Sequence, residues 1–156
     1  MVEPFIENLE EAEKTIRIAD HMIYVTYPLI KDKNLLLKIL IETKKGITEC
    51  INSILQYEYF YKRINLRNDP KENFKIFEDK CSERYDITKD EIKLILELFE
   101  LAKKHKESPF EFAKGEKVVI FTENSKTITV TIEKIKIFLE VAKKIIKKTK
   151  LKLQKT

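Results

Sequence analysis

Residues 35–64 read LLLKILIETKKGITECINSILQYEYFYKRI, and this stretch decides the class of fold that we expect. Its apolar residues return every three or four positions, which is the spacing of one face of an α-helix. Asp32 comes just before the stretch, and aspartate is a favoured N-cap residue. We therefore predict a helix from about Lys33 to Ile64.

Glycine at position 46 lies inside this predicted helix, where glycine costs about 1 kcal/mol relative to alanine. We expect that a second helix approaches closely there. Residues 4–28 have their own helical spacing, and Pro28 is expected to kink or end that helix. The two helices together predict a long antiparallel helical hairpin.

The remainder of the chain predicts more helices and little β-structure. Residues 69–72 and 88–91 have the composition of helix starts, and residues 132–153 keep a helical period. Two β-branched segments favour one small β-hairpin near residues 117–131. We predict a mainly α fold, with the hairpin and three further helices in a bundle, as a single domain over residues 1–156.

Composition supports this class of fold and bounds the chemistry. With only 2 glycines and 4 prolines in 156 residues, the chain has few sites for the tight turns of a sandwich or barrel. Cys50 and Cys81 are isolated from each other and lack metal-ligand spacing. No apolar run reaches the length of a membrane helix. We expect a cytoplasmic protein without membrane association, metal or cofactor.

Charge is distributed unevenly along the chain. Residues 1–13 contain five glutamates and no basic residue, whereas residues 133–156 contain nine lysines and two glutamates. A lysine stripe on the last helix could follow a nucleic-acid backbone, or it could be a solvated face at a helix C-terminus. The candidate nucleic-acid contacts are Lys136, Lys143, Lys144, Lys147, Lys148 and Lys150.

A second candidate site lies on the first helix, where Arg17, Asp20 and His21 form a narrow polar stripe with Tyr24 beside them. Arginine could bind a phosphate, histidine could transfer protons and aspartate could orient either one. The alternative is a solvent-facing stripe or a polar seam between helices, which is the default for an amphipathic helix.

The aromatic run at residues 57–63, YEYFYKR, is similar in composition to a surface that stacks nucleic-acid bases. Helical spacing predicts that Tyr57 and Tyr61 face the core, while Tyr59 and Arg63 can be exposed. The alternative is a set of core tyrosines with hydrogen-bonded hydroxyl groups.

Residues 110–146 read FEFAKGEKVVIFTENSKTITVTIEKIKIFLEVAKKII and resemble the closing part of HEPN-type domains, which are small helical bundles that usually dimerise. In many of those domains an Arg-Asn-x-x-x-His-type motif, which cleaves RNA, precedes a short extended connection and a final helix. The corresponding residues here, 108–115, contain neither arginine nor histidine. The resemblance implies a fold and a homo-oligomer, but no catalytic residue.

Three hypotheses of function follow. The first is a non-enzymatic helical interaction module that dimerises and binds a partner, which is either RNA or a protein such as a nucleic-acid-associated protein. The second is a HEPN-like, metal-independent ribonuclease that uses Arg17 and His21, with Asp20, across a dimer interface. The third is a winged-helix DNA reader, although the start of its recognition helix, residues 89–93, is acidic for insertion into a groove.

Overall fold

The computed structural model describes residues 3–108, 110–124 and 126–154. Within them the fold is mainly helical, with a small antiparallel sheet between the last two long helices. Two π-helical turns, Met22–Thr26 and Phe77–Cys81, interrupt the helical path. The helices are α1 Pro4–His21, α2 Tyr27–Ile30, α3 Lys33–Phe60, α4 Pro70–Ile76, α5 Lys89–Glu107 and α6 Ile132–Gln154; the strands are β1 Glu111–Lys114, β2 Lys117–Phe121 and β3 Thr127–Thr131.

Helix α3 packs along α1, and the two run in opposite directions. The rings of Phe5 and Tyr57 lie 5.1 Å apart at one end, and the Thr15 hydroxyl donates to the Glu49 carboxylate at 2.8 Å further along. A Cβ atom built on Gly46 would lie only 2.6 Å from Cγ1 of the Ile16 side chain. The close approach predicted at this glycine is therefore confirmed.

Helix α3 ends at Phe60, so the predicted end at about Ile64 is wrong. The backbone N–H of Arg63 donates to the carbonyl of Glu58 at 2.9 Å, and Lys62 between them has a φ of 60°. This is the Schellman arrangement, which closes a helix through one left-handed residue. Glycine usually fills that position, and its absence here concealed the helix end.

The path from α1 to α2 is a continuous helical rod with one expanded turn. Pro28 lies inside α2, and the π-helical turn Met22–Thr26 precedes it. Proline has no N–H for the preceding turn, and its ring crowds the carbonyl four residues back. The extra residue of a π-turn is a common way to relieve this conflict. The irregularity predicted at Pro28 thus lies in the turn before it, and the rod ends at the left-handed residue Lys31.

Among the described residues the sheet has three strands in the order β1-β2-β3, all antiparallel. The hairpin predicted near residues 117–131 is present as β2 and β3, but the prediction that it is the whole of the β-structure is wrong, because β1 adds a third strand. Lys114 pairs with Lys117 across a two-residue connection in which Gly115 has a φ of 64°. Strand β1 is short and half exposed, so it lacks a clear alternation and depends on its hydrogen bonds to β2.

The predicted helix starts are confirmed by their caps. The Asp69 carboxylate accepts from the Lys71 backbone at 3.0 Å at the start of α4. Thr88 and Glu91 form a reciprocal capping box at the start of α5, with bonds of 2.9 and 3.1 Å.

Helix α6 closes the core by packing on α3, α1 and α5. The buried face of α6 supplies Ile135, Phe138, Leu139, Ala142, Ile145 and Thr149. The inner face of the sheet supplies Val118, Ile120 and Val130. No helix within the described ranges combines the length and the apolar character that crossing a membrane requires.

Candidate functional site

The acidic and basic ends of the sequence meet in the folded chain. Helices α1 and α6 lie side by side in opposite directions, with the Lys150 ammonium 3.4 Å from the Glu13 carboxylate. Further along, the Lys143 ammonium pairs with the Asp20 carboxylate. The charge asymmetry seen in the sequence is therefore partly neutralised by half-exposed ion pairs between the two helices.

A shallow groove of about 400 Å³ runs between these two helices, and we call it the α1–α6 groove. Its apolar floor is formed by the buried residues Ile16 and Ile146. The described residues that line it include four basic and two acidic side chains, so positive charge predominates. The lining residues are Glu13, Ile16, Arg17, Asp20, Lys143, Ile146, Lys147 and Lys150.

The excess positive charge of the groove belongs to Arg17 and Lys147. Both side chains are exposed, and neither forms an ion pair within the described part of the chain. In contrast, Lys143 contacts two carboxylates, those of Asp20 and Glu140. Arg17 and Lys147 are consequently the groove cations best placed to receive an external anion.

Partial burial disfavours the charged form of Lys143, but hydrogen bonds to Asp20 and Glu140 outweigh it and raise the pKa of its ammonium group. Lys143 is therefore charged at neutral pH, and in this structure it pairs with both carboxylates.

Tyr24 borders the groove on the side of the π-helical turn. Its ring lies 5.2 Å from the Lys136 ammonium and 5.5 Å from the Lys143 ammonium, which are cation–π distances. The residue is 46% exposed, so part of its ring remains open to solvent. Lys136 and Lys143 thus lie on the same side of α6, next to Tyr24.

Lys148 lies on the other side of α6, next to α5. Its ammonium donates to the Glu91 carboxylate and to the Asp86 carbonyl, both at 2.6 Å. Burial opposes the charge of Glu91, but the hydrogen bonds from Lys148 and from the Thr88 backbone prevail and lower its pKa. Lys148 therefore joins α6 to α5 instead of extending the groove, whereas Lys144 is exposed on the outer face of α6.

The polar stripe of the first helix is divided by the fold. Arg17 and Asp20 line the α1–α6 groove, but His21 is exposed and makes no hydrogen bond or ion pair with any other described residue. The second histidine, His105, has its Nδ1 atom 2.6 Å from the Glu111 carboxylate and connects α5 to β1. Neither histidine is among the described residues that line the α1–α6 groove with Arg17.

Sequence reasoning missed a buried charged cluster at the end of α3. Glu58 is 2% exposed and accepts from Arg63 Nε at 3.1 Å, from Arg63 Nη2 at 2.7 Å and from the Tyr85 hydroxyl at 3.1 Å. Arg84 adds a looser ion pair at 3.6 Å. One signal was present in the sequence, because Glu58 continues the apolar row one turn after Ile54.

The two cysteines are buried thiols. Burial raises the pKa of Cys50 to about 12, and it raises that of Cys81 to about 12 as well. Because both thiols stay protonated at neutral pH, they are poor nucleophiles. The described residues also contain no group of three or more His, Cys, Asp or Glu side chains that could hold a metal ion.

A second cavity, of about 550 Å³, opens where α1 begins and α3 ends, and we call it the aromatic pocket. Tyr59 is 51% exposed and Phe60 is 52% exposed on its wall. Its lining residues are Pro4, Phe5, Gln56, Tyr59, Phe60, Lys62, Ile64 and Asn65. Tyr59 is exposed and Tyr57 is buried as predicted, but the prediction that Tyr61 faces the core is wrong, because Tyr61 is 46% exposed. The cation of the pocket is Lys62, since Arg63 is bound to Glu58.

No family model, no curated protein and no solved structure matches this chain.

Proposed function

We propose that this protein is a non-enzymatic helical interaction module that binds RNA along the α1–α6 groove. One observation supports the proposal above the others. Arg17 and Lys147 line a common groove and have no acidic partner among the residues that the structure describes, whereas Glu13 and Asp20 in the same groove pair with Lys150 and Lys143. These two exposed cations can contact the phosphates of a nucleic-acid strand, and the apolar floor can contact its sugar and base surfaces.

The surrounding residues extend this surface in both directions. Lys144 is exposed on the outer face of α6, and Lys136 lies over the half-exposed ring of Tyr24. Phosphate contacts of this kind release counterions, so affinity should fall steeply as salt rises. The ring of Tyr24 adds a face on which a base can stack.

The direct experiment is a titration of labelled single-stranded RNA with the double variant Arg17→Glu/Lys147→Glu, followed by fluorescence anisotropy at several salt concentrations. Wild-type protein should bind, with affinity that falls with salt, and the variant should lose binding. The matched control is Lys103→Glu/Lys106→Glu, which makes the same change in net charge at two exposed positions of α5. Equal loss in the control, or a wild type that does not bind RNA at low salt, would contradict the proposal.

The module is also proposed to form a homodimer, which the HEPN resemblance implies. An exposed apolar stripe on the α1–α2 rod supports this part: Ile18 is 45% exposed, Val25 is 49% exposed and Leu29 is 83% exposed. Exposed apolar side chains that lie together often mark a protein interface.

Light scattering coupled to gel filtration tests the dimer. Ile18→Asp/Val25→Asp should convert a dimer into a monomer. Leu96→Asp, at a position of α5 that is 44% exposed, is the control and should leave the dimer intact. A monomeric wild type across the accessible concentration range would contradict this part alone.

The ribonuclease alternative requires His21 and Arg17 to act together, and His21 lies outside the groove that Arg17 lines. An RNA-cleavage assay should accompany the binding titration. Cleavage by the wild type that disappears in His21→Ala would replace the binding proposal with the ribonuclease.

A further inference from the structure

The aromatic pocket is lined by exposed aromatic rings, whereas the described residues that line the α1–α6 groove include no aromatic ring. Phe60 is held edge-on between two other rings, with its centroid 5.7 Å from that of Phe5 and 5.1 Å from that of Tyr61. These contacts fix the orientation of Phe60 while half of its surface stays exposed. Tyr59 provides a second exposed ring on the same wall.

Besides the Tyr59 hydroxyl, the polar side chains that line the pocket are two amides and one ammonium group. Gln56 and Asn65 present side-chain amides, each with both donors and an acceptor, and Lys62 supplies the charge among the lining residues that the structure describes. Aromatic faces stack on planar rings, amides hydrogen-bond the edges of bases, and an ammonium attracts a phosphate. A nucleotide unit presents all three complementary features.

The position of the pocket connects it to the groove. Lys150 contacts Glu13 at the groove, and the pocket is lined by Phe5, about two turns earlier on α1. At about 1.5 Å per residue this separation is roughly 12 Å along the helix. A strand that follows the lysines of α6 toward its C-terminus therefore heads for the end of the molecule where the pocket opens.

We propose that the aromatic pocket receives one unpaired base of the single-stranded RNA whose phosphates lie in the α1–α6 groove. This inference rests on the proposed function and makes it more specific. Tyr59 and Phe60 stack on the base, Gln56 and Asn65 contact its edge, and Lys62 pairs with the adjoining phosphate. The preferred ligand is then single-stranded, because a paired base could not enter.

The test uses short single-stranded RNA that contains 2-aminopurine, whose fluorescence is quenched when the base stacks. Wild-type protein should quench it on binding. Tyr59→Ala and Phe60→Ala should each remove the quenching and weaken binding about tenfold or more. Because both residues are half exposed, these variants should retain the wild-type circular dichroism spectrum and melting temperature to within a few degrees.

Lys62 allows a sharper variant. Its φ of 60° favours glycine, so Lys62→Gly should keep or increase stability while it weakens RNA binding. Lys31→Gly is the matched control, because Lys31 has a φ of 53° and ends α2 away from the pocket. That control should gain similar stability and bind RNA as the wild type does.

The outcomes separate the two proposals. If Tyr59→Ala and Lys62→Gly bind and quench normally while Arg17→Glu/Lys147→Glu does not bind, the pocket inference is wrong and the groove proposal stands. If the wild type binds no RNA, both are wrong. If adenosine monophosphate binds the pocket but single-stranded RNA does not, the occupant is a free nucleotide and the RNA assignment is overturned.

Discussion

The Glu58 cluster and the α1–α6 groove use the same chemical groups in opposite surroundings. Glu58 is 2% exposed, with two arginines and a tyrosine hydroxyl around it. In the groove, the Asp20 and Lys143 side chains are each 38% exposed. A third pair lies between these extremes, since the Glu91 side chain is 12% exposed and that of Lys148 is 29% exposed.

Burial decides what each of these carboxylates does for the protein. In the interior a charge that loses its partner cannot be solvated, so its removal is costly even where the pair itself contributes little. At the surface, water and salt replace a lost partner cheaply. The difference indicates that Glu58 holds the fold together, whereas the groove can exchange its internal ion pairs for an external anion.

The largest effect is expected at Glu58. Glu58→Gln should lower the free energy of unfolding by roughly 2–4 kcal/mol, because it leaves the Arg63 guanidinium without a countercharge and weakens the bond to Tyr85. Urea denaturation followed by circular dichroism measures this change. Tyr85→Phe is the graded control: it deletes one hydrogen bond to the same carboxylate and should cost about 1 kcal/mol. If Glu58→Gln were as stable as the wild type, the conclusion that the buried Glu58 carboxylate stabilises the fold would be wrong.

An intermediate effect is expected at Glu91, whose carboxylate serves both the capping box of α5 and the ion pair with Lys148. Glu91→Gln retains a side chain that can accept the capping bond but loses the ion pair. It should therefore cost about 1 kcal/mol at neutral pH. Lys148→Met removes the same ion pair by deleting the ammonium group. If either variant lost much more than about 1 kcal/mol of unfolding free energy, the Glu91–Lys148 pair would behave as a buried pair, like that of Glu58.

The contribution of Glu91 should depend on pH in a defined direction. Its pKa is lowered in the folded protein, from an ordinary value of 4.5. The stabilisation is therefore complete above that value and is lost as the pH falls through the folded-state pKa. The gap between wild type and Glu91→Gln in unfolding free energy should be constant from neutral pH to about pH 5 and should narrow in more acidic buffer. If the difference in unfolding free energy grew as the pH fell, the pKa of Glu91 could not be lowered by folding.

The smallest effect is expected at Asp20. Asp20→Asn should change the free energy of unfolding by about 0.5 kcal/mol or less, and added salt should reduce even this difference. The same variant should strengthen RNA binding, because it removes a negative charge from the groove and leaves Lys143 with only one of its two carboxylate contacts, that of Glu140. A large loss of stability at Asp20 would mean that the groove is structural, as Glu58 is, and would count against the proposed site.

Local features of this fold could be predicted from the sequence because their causes are local. Asp69 and Thr88 cap helices through bonds to residues two or three positions away, and the composition of those short segments is sufficient to identify them. Gly46 signalled a close helix contact because few other reasons explain glycine inside a long helix. The end of α3 was missed because Lys62, instead of glycine, adopts the left-handed conformation.

The candidate site could not be predicted from local patterns, because the residues that form it are far apart in the sequence. The sequence provided both halves of the groove, Arg17 and Asp20 on one helix and Lys143 and Lys147 on another, without showing that they meet. The helical spacing of the sequence placed His21 and Arg17 on the same stripe of α1. In the structure, Arg17 lines the α1–α6 groove and His21 does not. The rotation of one helix against its neighbour decides this, and that rotation is set by core packing.

Sequence by itself therefore determined the mainly helical class, the helix starts and the excess of positive charge at the end of the chain. Only the tertiary structure decided which charges remain available. Glu13 and Asp20 neutralise Lys150 and Lys143 because antiparallel packing of α1 and α6 places them within ion-pair reach. The physical reason is one of range: helical period and capping act over a few residues, whereas Coulomb interactions act between groups that folding brings within a few ångströms of each other.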